Sequence, residues 1–560
     1  MGNNHKNAII RSCFYIAWIV VSLLQANLTE LLADEAYYWK YAQNLQWGYF
    51  DHPPVVAVLI KPGYWLSQNE LGIRLLFVLS SALMIYVLEQ LVRPKNLKLF
   101  YLSVASIGAF HFLGFLALPD MPLLLFTATF LYLYKQYLQK DSWGISILLA
   151  LNATLLLLSK YHGILVIGFA VLSNLQLLKR KTFWLVALLS LNLFIPHIQW
   201  QAAHDFPSIR YHLYERSAEP YQIDFTLNYL LSVVLMFSPV VGIVFAWHTL
   251  KKKVGNDFER ALKWMTAGTL IFFFLMTFKG RGEGNWVAFA LIPSFITGYR
   301  YCEQRDWFPK FTRNSFVISI LLIALLRVYL VYDFLPDNKV FAYAKATLHH
   351  TKQWAKDIQQ QAGDKPVAFM NKYQYAAWYE FYTGHKAISL NNRMGRKNQY
   401  NIWKDEQNIQ GQTIMLVPNY DAQGMEQFNS AKGAFQYAYI DNFRSASHIR
   451  IVPLQKELQL MPGEVNEVSF TLTSTDSAWT LEGNPGIAAV VHSMLFKKEK
   501  LIKDQSKEFY VQDDMVNSGE LYTVSVQAPE ERGVYELYLD IAMGWLPPAI
   551  NGEKITIEVK

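Results

Sequence analysis

Long apolar stretches separated by short polar segments dominate the first 334 residues of the chain. Each stretch runs for roughly 17–24 residues, the length at which a helix crosses a ~30 Å hydrocarbon core. No small-x-small cleavage pattern follows the first stretch, so we interpret it as an uncleaved span. The pattern predicts eleven spans, at residues 8–28, 72–92, 97–118, 120–138, 143–159, 162–178, 182–199, 225–248, 261–278, 285–301 and 314–334.

The remainder of the chain has shorter apolar runs, interrupted by turn residues. Residues 335–445 mix strand-like runs such as VAFM with a helical stretch, YQYAAWYEFYTG, which predicts a small α/β domain. Residues 446–560 alternate apolar and polar positions between turns, a pattern typical of a β-sandwich. The predicted fold is therefore a polytopic α-helical membrane domain at residues 1–334, followed by these two extracytoplasmic domains.

Charge supports this topology. Only 17% of the 560 residues are charged, whereas soluble domains carry about a quarter. Basic groups recur in alternate loops, for example at Arg93–Lys98, Lys179–Lys181 and Lys251–Lys253. The positive-inside rule makes these loops cytoplasmic, which explains the net charge of +7 without nucleic acid as a partner. We therefore expect a multi-pass inner-membrane protein with a cytoplasmic N-terminus and residues 335–560 outside.

This topology places several short polar loops on the extracytoplasmic face. Charges beside spans are often only solvated helix ends, and aromatic residues there can form an interfacial belt. Here carboxylates and cations share one face, which favours a functional site. The candidates are Asp34, Glu35, Tyr38, Asp51, His52, Asp120, Lys160, Tyr161, His162, His204, Lys279, Arg281, Glu283, Asn285 and Trp286.

The mixture suits transfer of a sugar from a lipid phosphate. A leaving phosphate needs cations, which Lys160, His162, Lys279 and Arg281 could supply. An acceptor hydroxyl needs a carboxylate base, for which Asp34, Glu35 and Asp120 are the candidates. Asp34 has an alternative explanation, since aspartate is a favoured N-cap and a helix beginning at Glu35 is expected.

The motifs DEAYYW, GYFDHPP, PDMPL and LSKYHG, followed by Asn285 and Trp286, carry a resemblance to a known family. They resemble bacterial members of the protein-O-mannosyltransferase/aminoarabinose-transferase clan, which are GT-C glycosyltransferases of family 39 or the RgtA/B/C/D-like group. The resemblance implies a polyprenyl-phosphate sugar donor and a lipid, glycan or protein acceptor. It also implies that Asp34 is the catalytic base and that Asp120 belongs to the same site.

Further details of the resemblance concern the acceptor side, the metal and the tail. Gly284 stands where relatives often have proline, and Gln201 and Phe206 also depart from the family pattern. The family implies that no cofactor is required, although a divalent cation could be held by His52, His162 and His204 with Asp34, Glu35 and Asp120. The tail resembles an immunoglobulin-like module through Trp479, His492, Pro529, Gly533 and Tyr535.

Other classes of protein share parts of this pattern. A lipid or polysaccharide transporter or flippase would also be polytopic, but it would place its polar residues near the midplane on broken helices. An oligosaccharyltransferase would carry a WWDYG-type string, which is missing. A scaffold would use only the β-rich tail. Convergence of Asp34, Asp120, Lys160 and Arg281 around one amphipathic cavity would favour the glycosyltransferase.

Overall fold

The computed structural model describes residues 2–215, 221–304, 310–403, 405–420, 424–474, 488–498 and 500–560. The chain divides into two compact units, Met1–Thr351 and Lys352–Lys560. The first unit extends beyond residue 334, the predicted end of the membrane domain. It also includes a short helix at Ala342–Leu348.

The first unit is helical throughout. Its elements are α1 (Gly2–Leu28), α2 (Ala33–Gln43), α3 (Val55–Leu66), α4 (Glu70–Val92), α5 (Leu97–Ala105), α6 (Gly108–Phe112), α7 (Asp120–Gln139), α8 (Trp143–Ser159), α9 (Gly163–Ser173), α10 (Lys181–Ala203), α11 (Pro207–Arg210), α12 (Ile223–Phe237), α13 (Ile243–Lys251), α14 (Asp257–Met276), α15 (Leu291–Gln304), α16 (Lys310–Tyr329) and α17 (Ala342–Leu348). A 3-10 segment, Gly284–Ala290, precedes α15, and π-helical turns occur at Tyr211–Glu215 and Ser238–Gly242.

The helices match a multi-pass membrane protein. In the described part of the chain, four helical stretches are long and apolar enough to span a membrane by length and composition: His5–Leu28, Glu70–Val92, Lys181–Ala203 and Ile223–Lys251. Each of the eleven predicted spans overlaps at least one helix. Helix α16 shows the expected surface, since Leu321, Leu322 and Leu325 are exposed on it. Exposed apolar surface of this kind indicates contact with lipid.

The prediction of one continuous helix at residues 97–118 is wrong. Helix α5 ends at Ala105, and α6 covers only Gly108–Phe112. The break is stabilised because the Gly108 N–H donates to Ser238 Oγ at 2.9 Å and Ser106 Oγ donates to the Ser103 carbonyl at 2.8 Å. A break at membrane depth is tolerated when freed backbone groups find partners inside the protein.

The second unit begins with an α/β layer. Helices α18 (Thr351–Ala362) and α19 (Tyr373–Thr383) accompany a mixed sheet of order β2-β1-β3-β5-β4. Its first three members pair in parallel and are buried throughout, as expected for strands covered on both faces. The strands are β1 (Val367–Met370), β2 (Ala387–Leu390), β3 (Ile414–Val417), β4 (Glu426–Ser430) and β5 (Gly433–Ile440).

Two further sheets complete the second unit. Their orders are β10-β9-β12-β13-β7 and β11-β8-β6. The strands are β6 (Ile449–Pro453), β7 (Glu457–Leu460), β8 (Val465–Ser474), β9 (Ala489–Lys497), β10 (Lys500–Tyr510), β11 (Tyr522–Gln527), β12 (Gly533–Met543) and β13 (Ile555–Val559). Arg393, after β2, forms an ion pair with Asp540 of β12 at 2.6 Å, which ties the α/β layer to these sheets. Trp479 lies outside the described residues.

Candidate active site

An amphipathic cavity of about 360 Å³ lies within the helical unit. Its lining includes five of the predicted polar residues: His52, Lys160, Tyr161, His162 and Arg281. Ser208 and His212 also line the cavity, together with an apolar wall of Ile164, Leu165, Ile209, Leu213, Phe272, Phe273, Met276 and Trp286. Such a space suits a ligand with a charged head and a hydrocarbon tail.

The LSKYHG motif forms the turn at one side of this cavity. Helix α8 ends at Ser159 and α9 begins at Gly163, so Lys160, Tyr161 and His162 occupy the connection. The turn needs its glycine, because a Cβ on Gly163 would lie 2.7 Å from the Leu156 carbonyl oxygen. The tight connection therefore fixes three predicted site residues at the cavity wall.

Asp120 holds two of the predicted site residues together. Lys160 Nζ donates to Asp120 Oδ1 at 2.8 Å, and Asn285 Nδ2 donates to Asp120 Oδ2 at 2.9 Å. Asp120 and Lys160 are both buried. The two oxygens of Asp120 therefore each accept one hydrogen bond from a predicted site residue. These contacts position Lys160 and Asn285, and a catalytic role for Asp120 stays a prediction.

Glu35 is also engaged in a buried network. Arg74 donates to it twice, from Nε to Oε1 at 2.7 Å and from Nη2 to Oε2 at 2.6 Å. The backbone N–H groups of Ala117 and Leu32 donate to the same carboxylate at 2.8 and 3.0 Å. Glu35 and Arg74 are completely buried. This carboxylate accepts from four donors and is absent from the described cavity lining, which favours a structural role for Glu35 over the predicted catalytic one.

Asp34 differs from its neighbour in exposure. It is the second residue of α2, and its side chain is exposed. Tyr38 follows one turn later on the same helix face, and its ring centroid lies 5.4 Å from that of His52, which lines the cavity. The alternative that Asp34 caps the helix is wrong, because Leu32 occupies the N-cap and Glu35 accepts its N–H.

Asp51 contacts His212, a residue of the cavity lining. The Tyr41 hydroxyl donates to Asp51 Oδ2 at 3.3 Å, and His212 Nε2 donates to the Asp51 carbonyl at 3.1 Å. His212 lines the cavity and was not among the predicted residues. His212 lies in the π-helical turn Tyr211–Glu215. The sequence offered only one signal for a site residue here, which is a histidine in a predicted outer loop.

Nine predicted residues are absent from the described cavity lining: Asp34, Glu35, Tyr38, Asp51, Asp120, His204, Lys279, Glu283 and Asn285. His204 stacks on Trp200, with ring centroids 4.4 Å apart, and its Nδ1 donates to the Trp200 carbonyl. Lys279 and Glu283 are exposed. Glu283 is the N-cap of the 3-10 segment that carries Asn285 and Trp286. The Trp286 ring lies 5.3 Å from that of His162, so this segment completes the cavity wall.

The residues proposed as metal ligands are dispersed. Among the described residues, no group of three or more histidines, cysteines or carboxylates lies close enough to hold a metal ion. Two of the proposed ligands form ion pairs with cationic side chains instead: Asp120 with Lys160, and Glu35 with Arg74.

Comparison with known proteins identifies the class. A family model described as dolichyl-phosphate-mannose-protein mannosyltransferase matches residues 51–200. The fold is that of ArnT from Cupriavidus metallidurans, with TM-scores of 0.56 for the apo crystal structure and 0.57 for the structure bound to undecaprenyl phosphate. Each comparison has 14% identity and covers 76% of this chain and 97% of ArnT. The predicted resemblance is confirmed: the chain is a membrane glycosyltransferase that is similar to the GT-C enzymes of family 39.

One relative with a named activity is similar to most of the chain. The lipid A galacturonosyltransferase RgtD of Rhizobium johnstonii is 24% identical over 383 residues, which cover 64% of this chain and 79% of RgtD.

Proposed function

We propose that this protein transfers a monosaccharide from a polyprenyl-phosphate donor to a lipid acceptor at the extracytoplasmic face of the inner membrane. The observation that carries the proposal is the cavity, whose lining combines the cations Lys160 and Arg281 with a largely apolar wall. The undecaprenyl phosphate bound to ArnT supports the donor class, and the name of RgtD supports a lipid acceptor.

Arg281 is the principal partner of the donor phosphate in this proposal. Part of the charge of Lys160 is already balanced by Asp120 at 2.8 Å. Arg281 lines the cavity and is exposed to it. Its guanidinium can bind two phosphate oxygens at once and stabilise the negative charge that develops as the sugar leaves. Lys160, His52 and His162 then surround the same group, and the polyprenyl chain follows the apolar wall.

Asp34 is the general base in this proposal. Its exposure lets it reach the acceptor, whereas Glu35 and Asp120 are buried. Proton transfer from the acceptor hydroxyl to Asp34 makes the oxygen nucleophilic while the phosphate departs. The Tyr38 ring on the same helix lies 5.4 Å from the ring of His52, which lines the cavity. As the family resemblance implies, the proposed reaction requires no cofactor.

The proposal includes eleven spans, a cytoplasmic N-terminus and an extracytoplasmic second unit. It also treats the last two sheets as an immunoglobulin-like sandwich. The Tyr535 hydroxyl donates to the Glu531 carbonyl at 2.7 Å, a local bond like that of the tyrosine corner in such domains. We assign this part stability or acceptor docking rather than catalysis.

Replacing Arg281 by alanine tests the donor site. Because one charge-assisted contact to phosphate is worth roughly 1.5–3 kcal/mol, we expect a 10- to 100-fold loss in kcat/KM for the polyprenyl-phosphate sugar. Lys279→Ala is the matched control, since Lys279 is a cation two residues away outside the described cavity lining. Transfer is measured with the purified protein in lipid vesicles.

The control variant should retain the parental kcat/KM. Equal losses in both variants would mean that general positive charge, rather than the cavity, draws the donor. An active Arg281→Ala protein with unchanged kcat/KM would contradict the assignment of the phosphate partner.

A further inference from the structure

A chain of hydrogen bonds joins the LSKYHG turn to α10 and to the loop between α2 and α3. This loop, residues 44–54, carries His52, which lines the cavity. The chain passes through four side chains, which we call the loop clamp: His197, Tyr161, Gln201 and Ser208. Tyr161 and Ser208 also line the cavity, and the other two members are buried.

The direction of the first hydrogen bonds follows from the chemistry of their ends. His197 Nδ1 lies 2.7 Å from the Trp47 carbonyl oxygen, which can only accept, so Nδ1 carries a proton. His197 is buried, none of its described contacts is with a carboxylate, and an unpaired buried charge is costly. The ring is therefore neutral, and its Nε2 accepts from the Tyr161 hydroxyl at 3.1 Å.

Gln201 continues the chain from Tyr161 back to the same loop. Its Nε2 donates to the Tyr161 hydroxyl at 3.1 Å and to Ser208 Oγ at 2.8 Å, and its Oε1 accepts from the Ser208 N–H at 3.3 Å. Ser208 Oγ donates to the carbonyls of Tyr49 and Phe50, at 3.0 and 2.8 Å. Both ends of the chain therefore meet main-chain carbonyls of the α2–α3 loop.

The α2–α3 loop also packs closely against α10. A Cβ on Gly48 would lie 2.5 Å from the Trp200 ring carbon Cε3 and 2.9 Å from His197 Nδ1, so this approach needs glycine. Trp200 Nε1 donates to Gln46 Oε1 at 2.8 Å. Steric fit and hydrogen bonds thus give the loop one position against α10.

We propose that His197 and Gln201 are positioning residues for glycosyl transfer, and the role in transfer rests on the function proposed above. Through Tyr161 and Ser208 they hold the α2–α3 loop against the turn that carries Lys160. The turn supplies a cation for the donor phosphate, and the loop follows α2, the helix of the proposed base. Their spacing matters, because a displacement of about 1 Å at a site can cost roughly 10²-fold in rate.

Two conservative substitutions test the loop clamp. Tyr161→Phe keeps the ring and removes the hydroxyl, whereas Gln201→Met keeps the length of the side chain and removes its hydrogen bonds. We expect each variant to lower kcat for transfer by roughly 10- to 100-fold. The affinity for undecaprenyl phosphate, measured by native mass spectrometry, should change by less than about threefold, because Lys160 and Arg281 stay in the cavity lining.

The double variant Tyr161→Phe/Gln201→Met tests whether the two residues act together. It should lose no more activity than the worse single variant, since both changes break the same chain. Tyr137→Phe is the matched control: Tyr137 is buried on α7, its hydroxyl meets Thr182 Oγ1 at 2.9 Å, and it is absent from the described cavity lining. It should keep the parental kcat. All proteins are compared below their unfolding temperatures.

Hydrogen–deuterium exchange of residues 44–54 in the full chain adds a readout that does not depend on activity. Exchange should be faster than in the parent in both single clamp variants and unchanged in Tyr137→Phe, because only the clamp variants release the loop. Parental exchange or parental kcat in both clamp variants would overturn the proposal, as would losses in kcat that multiply in the double variant.

The same measurements separate this proposal from the proposed function. A parent that neither binds undecaprenyl phosphate nor transfers a sugar refutes the proposed function, and with it the role of the clamp in transfer. Equal losses of kcat/KM and of undecaprenyl phosphate affinity in the Tyr161→Phe protein would make Tyr161 a donor ligand and would overturn the positioning role alone.

Discussion

Replacing Asp34 by asparagine should lower the rate of glycosyl transfer by roughly 10²–10⁴-fold, the usual contribution of a general base. Asparagine has the same shape but cannot take the proton of the acceptor hydroxyl. The fold should be unaffected, because Asp34 is exposed and the cap of α2 is made by Glu35 at the Leu32 N–H. The measurement is kcat for the purified protein in vesicles, with insertion and unfolding temperature checked in parallel.

Glu70→Gln is the matched control for this experiment. Glu70 is an acidic residue in the first turn of α4, at the same predicted membrane face, and it is absent from the described cavity lining. Its replacement should leave kcat within about twofold of the parent, because surface substitutions away from a site change little. Near-parental turnover of Asp34→Asn would exclude Asp34 as the base.

Replacing Glu35 by glutamine should instead destabilise the protein by roughly 3–5 kcal/mol, the cost of leaving one buried charge of a pair uncompensated. Arg74 would keep its contacts to the carbonyls of Ala26 and Thr29 at 2.9 and 2.7 Å, but lose the carboxylate that neutralises it. The measurement is the free energy of unfolding of the full chain in mixed micelles, together with its level in the membrane.

The double variant Glu35→Gln/Arg74→Met separates a structural role from a catalytic one. Removing both charges is far less costly than removing one, so the double variant should recover much of the lost stability and, with Asp34 intact, much of the transfer activity. A Glu35→Gln protein of parental stability that fails to transfer sugar would show that Glu35 acts in the reaction.

The local pattern of the sequence predicted much of the fold. The VAFM and YQYAAWYEFYTG segments became β1 and α19, since short apolar runs and helical periodicity carry most of the information about such elements. The interruption between α5 and α6 was missed. Its cause is a hydrogen bond from Gly108 to Ser238, which is distant in the sequence and leaves the hydropathy of residues 97–118 unchanged.

The site was only partly predictable for a related reason. Asp34 and Glu35 are adjacent, but consecutive residues of a helix point about 100° apart, so one is exposed and the other is buried against Arg74. Arg74 did carry a signal, because it interrupts a long apolar stretch. The pairing of Asp120 with Lys160 and Asn285 depends on three helix ends that meet only in the folded bundle.

Comparative mass spectrometry of membrane lipids tests the central claim most directly. The strains to compare are the parent, a deletion of the gene, and the deletion complemented with the wild-type or the Asp34→Asn protein. We predict one glycolipid, heavier than its precursor by a single monosaccharide residue, that is lost on deletion and restored only by the wild-type protein, while the polyprenyl-phosphate sugar accumulates without it. An unchanged glycolipid profile on deletion, or full restoration by the Asp34→Asn protein, would contradict the account.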